Sequence, residues 1–257
     1  MLKTVERKMA LDLEDRSVIV TGACGGIGSA CARLFATCGA KLTLVDRDES
    51  KLSALAAGIN ADALTLALDV ASENDMAQMA SRTVERFGDI DTLVAAAGIL
   101  RTSGEPRTVV ETSYEEWSAV MEVNLTGTFL SNRAVLATML KRGSGDIVNI
   151  SSTSGRQGRA FDAPYAASKF GVIGLSESLA EEVGRRGIRV QTLLPDAVRT
   201  SLWEQSGTTA MKPPHMLIPA RVAEFVLYMV TLPRDAFLLN PTLYPLQVRT
   251  KRTSSTK

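Results

Sequence analysis

Val18-Ile19-Val20-Thr21-Gly22-Ala23-Cys24-Gly25-Gly26-Ile27-Gly28 passes from a β-rich run into glycines and then into a helical pattern. Ile27, Cys31, Leu34, Phe35 and Cys38 recur at helical spacing, and Gly39 ends that stretch. A glycine-rich turn between a strand and a helix lets the backbone bend tightly and approach a phosphate. The helix N-terminus then offers free N–H groups and the positive end of its dipole. Placed as the first turn of a βαβ unit, the run predicts dinucleotide binding, with Gly22, Gly26, Ile27 and Gly28 as contact residues.

Outward from this turn, short apolar runs alternate with longer amphipathic ones. The strands expected are Val18–Val20, Leu42–Val45, Ala63–Leu68, Thr92–Ala95, Ile147–Ile150, Val190–Leu194 and a last one near Leu239–Leu246. Nearly every position in them is apolar, as in strands buried on both faces of a parallel sheet. A long helix is expected from Tyr114 to Lys141, opened by a Ser113/Glu116 capping box. Others run from Ala163 to Arg186, closed by Gly187, and from Pro219 to Thr231, stopped by Pro233. The pattern predicts an α/β fold: a Rossmann-like, doubly wound parallel sheet of about seven strands in a single domain over residues 1–247. Residues 196–219 lack periodicity and read as a functional loop, a lid over a substrate. Residues 248–257 read as a disordered basic tail.

Composition narrows the function. The chain has 257 residues, 45% hydrophobic and 22% charged, with a net charge of +1. Nothing in that balance points to nucleic acid or an anionic membrane, and no run is long enough to span a bilayer. The N-terminus has no apolar signal core, so a cytoplasmic location is expected. Cys24, Cys31 and Cys38 read as small apolar residues, not as a disulfide framework. His215 has no partner at metal-ligand spacing, so no metal is expected.

The carboxyl ends of the strands collect the remaining candidates. Asp46 ends the second strand, 18 residues after Gly28 (46 − 28). A carboxylate there accepts hydrogen bonds from the adenosine ribose and repels a 2′-phosphate, which favours NAD over NADP. Arg47 next to it could pair with that phosphate and argues the other way. Asp69-Val70 follows the third strand, Ala97-Gly98 the fourth, Ser152 the fifth and Pro195 the sixth. Ligands of open α/β sheets bind outside these ends. Tyr165 and Lys169 stand four apart, on one helix face. A phenol ionises near pH ~10. A neighbouring cation favours the phenolate, which makes the pair a candidate acid/base.

In combination these motifs make the chain resemble the short-chain dehydrogenase/reductase family of the roughly 250-residue kind, well over residues 12–200 and loosely beyond. Thr21–Gly28 matches the family's TGxxxGxG loop. Asn124, Ser152, Tyr165 and Lys169 match its catalytic tetrad, Ser152 standing thirteen residues before Tyr165 (165 − 152). The resemblance implies that Tyr165 exchanges a proton with the substrate oxygen and Ser152 holds that oxygen. It implies that Lys169 lowers the Tyr165 pKa and binds the nicotinamide ribose, while Asn124 disturbs its helix and holds a water. Val198 and Thr200 join Pro195 near the nicotinamide, and a homodimer or homotetramer is implied.

Three departures stand out. The family's Asn-Asn-Ala-Gly reads Ala95-Ala96-Ala97-Gly98, its Pro-Gly reads Pro195-Asp196, and the usual C-terminal Asp-Gly-Gly is replaced by Leu243-Tyr244-Pro245-Leu246. The expected activity is NAD-dependent interconversion of a secondary alcohol and a ketone, acting on a small molecule. Its alternatives are an NADPH-dependent ketoreductase and a non-catalytic dinucleotide sensor. Leu202, Trp203, Met211 and Met216 are expected to line the substrate pocket. Arg101, Arg156, Arg159, Arg199 and Lys212 are candidate partners for an acidic group on the substrate.

Overall fold

A computed structural model describes residues 11–102, 104–206 and 213–246. Met211, Lys212 and the tail 248–257 lie outside them. Seven strands, β1 (Ser17–Thr21), β2 (Lys41–Asp46), β3 (Ala63–Ala67), β4 (Thr92–Ala95), β5 (Gly145–Ile150), β6 (Ile188–Pro195) and β7 (Thr242–Leu243), form one sheet in the order β3-β2-β1-β4-β5-β6-β7. Every pairing is parallel. From β1 the chain winds outward through β2 and β3, then crosses back to β4. The order therefore reverses between β1 and β4, and a crevice opens at their carboxyl ends.

The helices are α1 (Gly26–Thr37), α2 (Glu49–Ala57), α3 (Glu73–Phe87), α4 (Tyr114–Met121), α5 (Gly127–Arg142), α6 (Ala163–Val183) and α7 (Pro219–Thr231). Strand periodicity sorts the core into two layers. Val18, Val20, Leu42 and Leu44 face Cys31 and Phe35 of α1, Leu52 and Leu55 of α2, and Val222 and Val226 of α7. Ile19, Val45, Leu93 and Ile147 face Met76 and Met79 of α3, Val135 and Met139 of α5, and Leu179 of α6. Each such side chain, fully buried, stabilises the fold by about 1.5–3 kcal/mol. This is why the strands read as continuous apolar runs.

Local signals set the ends. Ser72 and Ser113 cap α3 and α4 by accepting the N–H of Asp75 and Glu116 at 3.2 Å. Gly187 closes the stretch after α6 at φ 80°. The long helix from Tyr114 is divided by a π-helical turn, Glu122–Thr126, centred on Asn124, where the family resemblance implied a local disturbance. One outcome differs from the sequence expectation. The last strand is two residues long, because Asn240 takes φ 48° and Pro241 and Pro245 lack the N–H that a ladder requires. Within 196–219, Val198 bridges to Leu217 and Ser201–Ser206 makes a 3-10 turn.

Candidate active site

A cleft of about 1300 Å³ opens along the carboxyl ends of the strands. It is larger than the ~300–1,000 Å³ of ordinary small-molecule pockets. Gly25, Gly26, Ile27, Gly28, Asp46, Gly98, Ser152, Tyr165, Lys169, Pro195, Val198 and Thr200 all line it. One wall is the β1–α1 turn. Gly22 sits at φ 65°, and a Cβ there would stand 2.6 Å from the Ala97 backbone. A Cβ at Gly28 would stand 2.1 Å from the Gly22 carbonyl oxygen. Only glycine lets the turn fold this closely onto β4 and α1. Gly25 caps α1 without a side-chain hydrogen bond, and no acidic residue lies in the first turn. The leading N–H groups of α1 are thus available to an anion.

Asp46 closes one end. Its carboxylate accepts the Cys24 N–H at 2.9 Å and the Arg47 N–H at 2.8 Å, fixing it against the glycine turn. Cys24 itself lines the cleft, which the sequence did not indicate. Its thiol is pushed up to about 11 by burial and by Asp46 and Asp48, and Cys31, fully buried, to about 12. Both are protonated and unreactive at neutral pH. Arg47 is exposed, 3.8 Å from Asp69.

Not every candidate reaches the cleft. Asp69 instead accepts the Ala71 N–H at 2.9 Å, and its own N–H donates to Asp75 at 2.8 Å. Val70 is buried against Gly127 of α5. Gly22 and Ala97 support the turn from behind. Asn124 is wholly buried.

The other end is built on β5, α6 and the π-helical turn. Asp46 ends β2 and Ser152 follows β5, three strand spacings or roughly 14 Å away. Ser152 hydrogen-bonds the Tyr165 hydroxyl and accepts the Ser154 N–H at 3.1 Å. Ser151, its neighbour, is buried and donates to the Lys169 carbonyl at 2.8 Å. The fold thus assigns the two serines opposite places. Lys169 is 4% exposed. Its ammonium donates to the Ile150 carbonyl at 3.0 Å and lies 5.6 Å from the Tyr165 ring centroid. Asn124 grips the Ile99 backbone from both sides, accepting its N–H at 2.8 Å and donating to its carbonyl at 2.9 Å, and also donates to Ser168 at 3.0 Å. That grip holds Gly98 over the Lys169 ammonium.

Burial pushes the Tyr165 phenol up to about 12; Ser152 lowers it, Asp162 raises it and Arg159 lowers it. Burial also pulls Lys169 down to about 8. The Lys169 ammonium sits over the ring face with a proton committed to Ile150, and desolvation prevails at both residues.

The arginines proposed for an acidic substrate are also mostly engaged. Arg101 pairs with Asp162. Arg159 pairs with Asp196 at 2.7 Å, and Thr153 donates to the same carboxylate oxygen at 2.9 Å. Arg156 donates to the Asn240 carbonyl at 3.2 Å. The Gly-to-Asp departure at 196 is therefore the acceptor of a small polar network. The 3-10 turn covers this end, with Gln205 accepting the Leu100 N–H at 2.8 Å and Trp203 donating to the Val198 carbonyl at 2.8 Å. Leu202 and Trp203 line the cleft as expected; Met216 is not among its lining residues.

Comparison with known proteins agrees with this architecture. The sequence model described as short chain dehydrogenase matches residues 16–210. D-threitol dehydrogenase of Mycolicibacterium smegmatis is 38% identical over 207 residues, 78% of each chain. The crystal structure of a 3-ketoacyl-(acyl-carrier-protein) reductase from Brucella melitensis complexed with NADH superposes with a TM-score of 0.81 at 29% identity, covering 91% of this chain and 97% of that one. An alcohol dehydrogenase from the archaeon Thermococcus sibiricus, complexed with 5-hydroxy-NADP, superposes with a TM-score of 0.79 at 27% identity, covering 92% and 99%. With that match spanning most of the described fold, the chain belongs to the short-chain dehydrogenase family.

Proposed function

We propose that the protein is an NAD-dependent oxidoreductase that interconverts a secondary alcohol and a ketone, with Tyr165 as acid/base. The observation that carries this reading is a phenol facing Ser152 at the cleft, with a buried ammonium behind it, two strand spacings from the uncapped α1 N-terminus and three from the Asp46 carboxylate. The uncapped α1 turn suits a pyrophosphate and Asp46 suits a ribose diol. Lys169 and the Pro195–Thr200 segment suit the nicotinamide half. When bound there, a nicotinamide dinucleotide supplies or accepts the hydride.

The residues do the rest. With its pKa near 12 in this pocket, Tyr165 is a phenol at neutral pH and can donate its proton to a ketone oxygen. Ser152 donates a second hydrogen bond to that oxygen and holds it beside the phenol. In the oxidation direction Tyr165 must give up its proton first, so that direction gains from raised pH. Asn124 is a positioning residue, fixing Gly98–Ile99 against α6.

Tyr165→Phe tests the reading. Turnover is expected to fall by about 10²–10⁴-fold, the usual contribution of a positioned acid/base. Cofactor affinity, followed by the fluorescence of the reduced nicotinamide, is expected to stay within about threefold. Undiminished turnover would refute the assignment. One observation favours NADP(H) as a second reading: Arg47 is exposed beside Asp46 and held only by a 3.8 Å contact to Asp69.

A further inference from the structure

The substrate end of the cleft carries an unusual amount of paired charge. Asp162, three residues before Tyr165, lines the cleft and is held from behind by the buried Arg101. Its electrostatic influence reaches the phenol, as does that of Arg159. Asp196, at the end of β6, lines the same wall and is held through one oxygen, Oδ1, by Arg159 and Thr153. Asp162 is likewise held by Arg101 through Oδ1 alone. Among the described residues, neither Oδ2 accepts a hydrogen bond. Both carboxylates are about four-fifths shielded, at 20% and 19% side-chain exposure. Shielded carboxylate oxygens with spare lone pairs ask for a hydrogen-bond donor.

The charge of this end balances. Asp162, Asp196 and Glu204 face Arg101, Arg159 and Lys169. A carboxylate on the substrate that reached Arg159, already paired with Asp196, would stand beside two like charges. A substrate ammonium would gain Asp162 and Asp196 but also meet Arg159 and Lys169, so the balanced charge gives it no net attraction. A hydroxyl suffers neither penalty and supplies the proton the free oxygens lack.

We propose that the substrate is a neutral polyol or hydroxyketone, whose second hydroxyl donates to Asp196 or Asp162 while the reacting oxygen lies against Ser152 and Tyr165. This rests on the oxidoreductase reading above and names its substrate class. It also replaces the acidic-group expectation: of the arginines invoked there, Arg101 and Arg159 already hold carboxylates of the protein and Arg156 holds the Asn240 carbonyl.

The test compares matched secondary alcohols by kcat/KM, following the reduced nicotinamide with NAD and with NADP. The set is butan-2-ol, butane-2,3-diol, butane-1,3-diol, 3-hydroxybutanoate and 3-aminobutan-2-ol, with cyclohexanol and cyclohexane-1,2-diol as a larger skeleton. A diol is expected to exceed its mono-alcohol by about tenfold or more, the discrimination a site built to bind a hydroxyl supplies. It is expected to exceed the carboxylate and the amine by at least as much. In Asp196→Ala the diol-to-mono-alcohol ratio is expected to fall several-fold, and in Asp196→Asn, which keeps an acceptor oxygen, to recover in part. Asp162→Asn gives the same ratio test from the other carboxylate if the Asp196 variants do not fold. Mono-alcohols, 3-hydroxybutanoate or 3-aminobutan-2-ol turned over as well as the diols would overturn the inference and leave the oxidoreductase standing. No cofactor reduction by any of the seven, together with no binding of NADH or NADPH by the wild type, would remove both.

Discussion

Lys169 places an ammonium where water barely reaches, and its pKa falls from an ordinary 10.5 to about 8. Between those values the unfolded chain still holds the proton that the folded chain has released. Stability therefore rises with pH across that window. Relative to Lys169→Met, which never carries the charge, the wild type is expected to gain about 2 kcal/mol between pH 7.5 and 9.5, measured by urea unfolding. A flat difference would show that the ammonium is better solvated than its burial implies. Asp46 acts through its charge at the other end. Asp46→Ala frees the Cys24 and Arg47 N–H groups and removes the repulsion of a 2′-phosphate. The ratio of NAD to NADP affinity is expected to fall by about tenfold, roughly 1.4 kcal/mol. An unchanged ratio would count against Asp46 as the source of an NAD preference.

Among the elements, β5 delivers Ser152 and is itself pinned by a buried polar ladder. Asn132 of α5 and Asn149 of β5 exchange hydrogen bonds at 2.8 and 3.1 Å, and Asn149 donates to Ser176 of α6 at 2.9 Å. All three residues are at most 2% exposed. Asn149→Leu strands the Asn132 amide, and the expected loss is about 1–3 kcal/mol in chemical denaturation. Asn132→Ala with Asn149→Leu together is expected to cost less than the sum of the two, the mark of direct coupling. This ladder was not legible in the sequence, where Asn132 and Ser176 are lone polar residues on helices 44 positions apart (176 − 132). Asn124 was legible as a candidate through the family motif. Its partners Ile99 and Ser168 were not, because the π-helical turn that aims the amide at them is a tertiary adjustment of a sequence that reads as plain helix.

At the scale of the whole molecule, the edge of the sheet opposite the cleft is held by one carboxylate. Asp146, with no exposed surface, opens β5, accepts from Arg16 at 2.8 Å and Arg189 at 2.7 Å, and forms an ion pair with Arg234 at 3.1 Å. Arg189 also donates to the carbonyls of Leu232, Pro233 and Ala236, tying the chain after α7 to β6. Asp146→Ala leaves these cations without their counter-charge, and a loss of about 3–5 kcal/mol is expected in chemical unfolding. The amino-acid sequence by itself determined the α/β order, six strands nearly to the residue and the glycine turn, and through the family motif it pointed to Ser152, Tyr165 and Lys169, which meet at the cleft. It could do so because apolar periodicity and glycine placement are local properties of the chain. The last strand, the π-helical turn, the arginines' partners and the pKa values of Tyr165 and Lys169 were decided by the tertiary structure alone. Each depends on how deeply a group is buried and on which distant residue stands beside it.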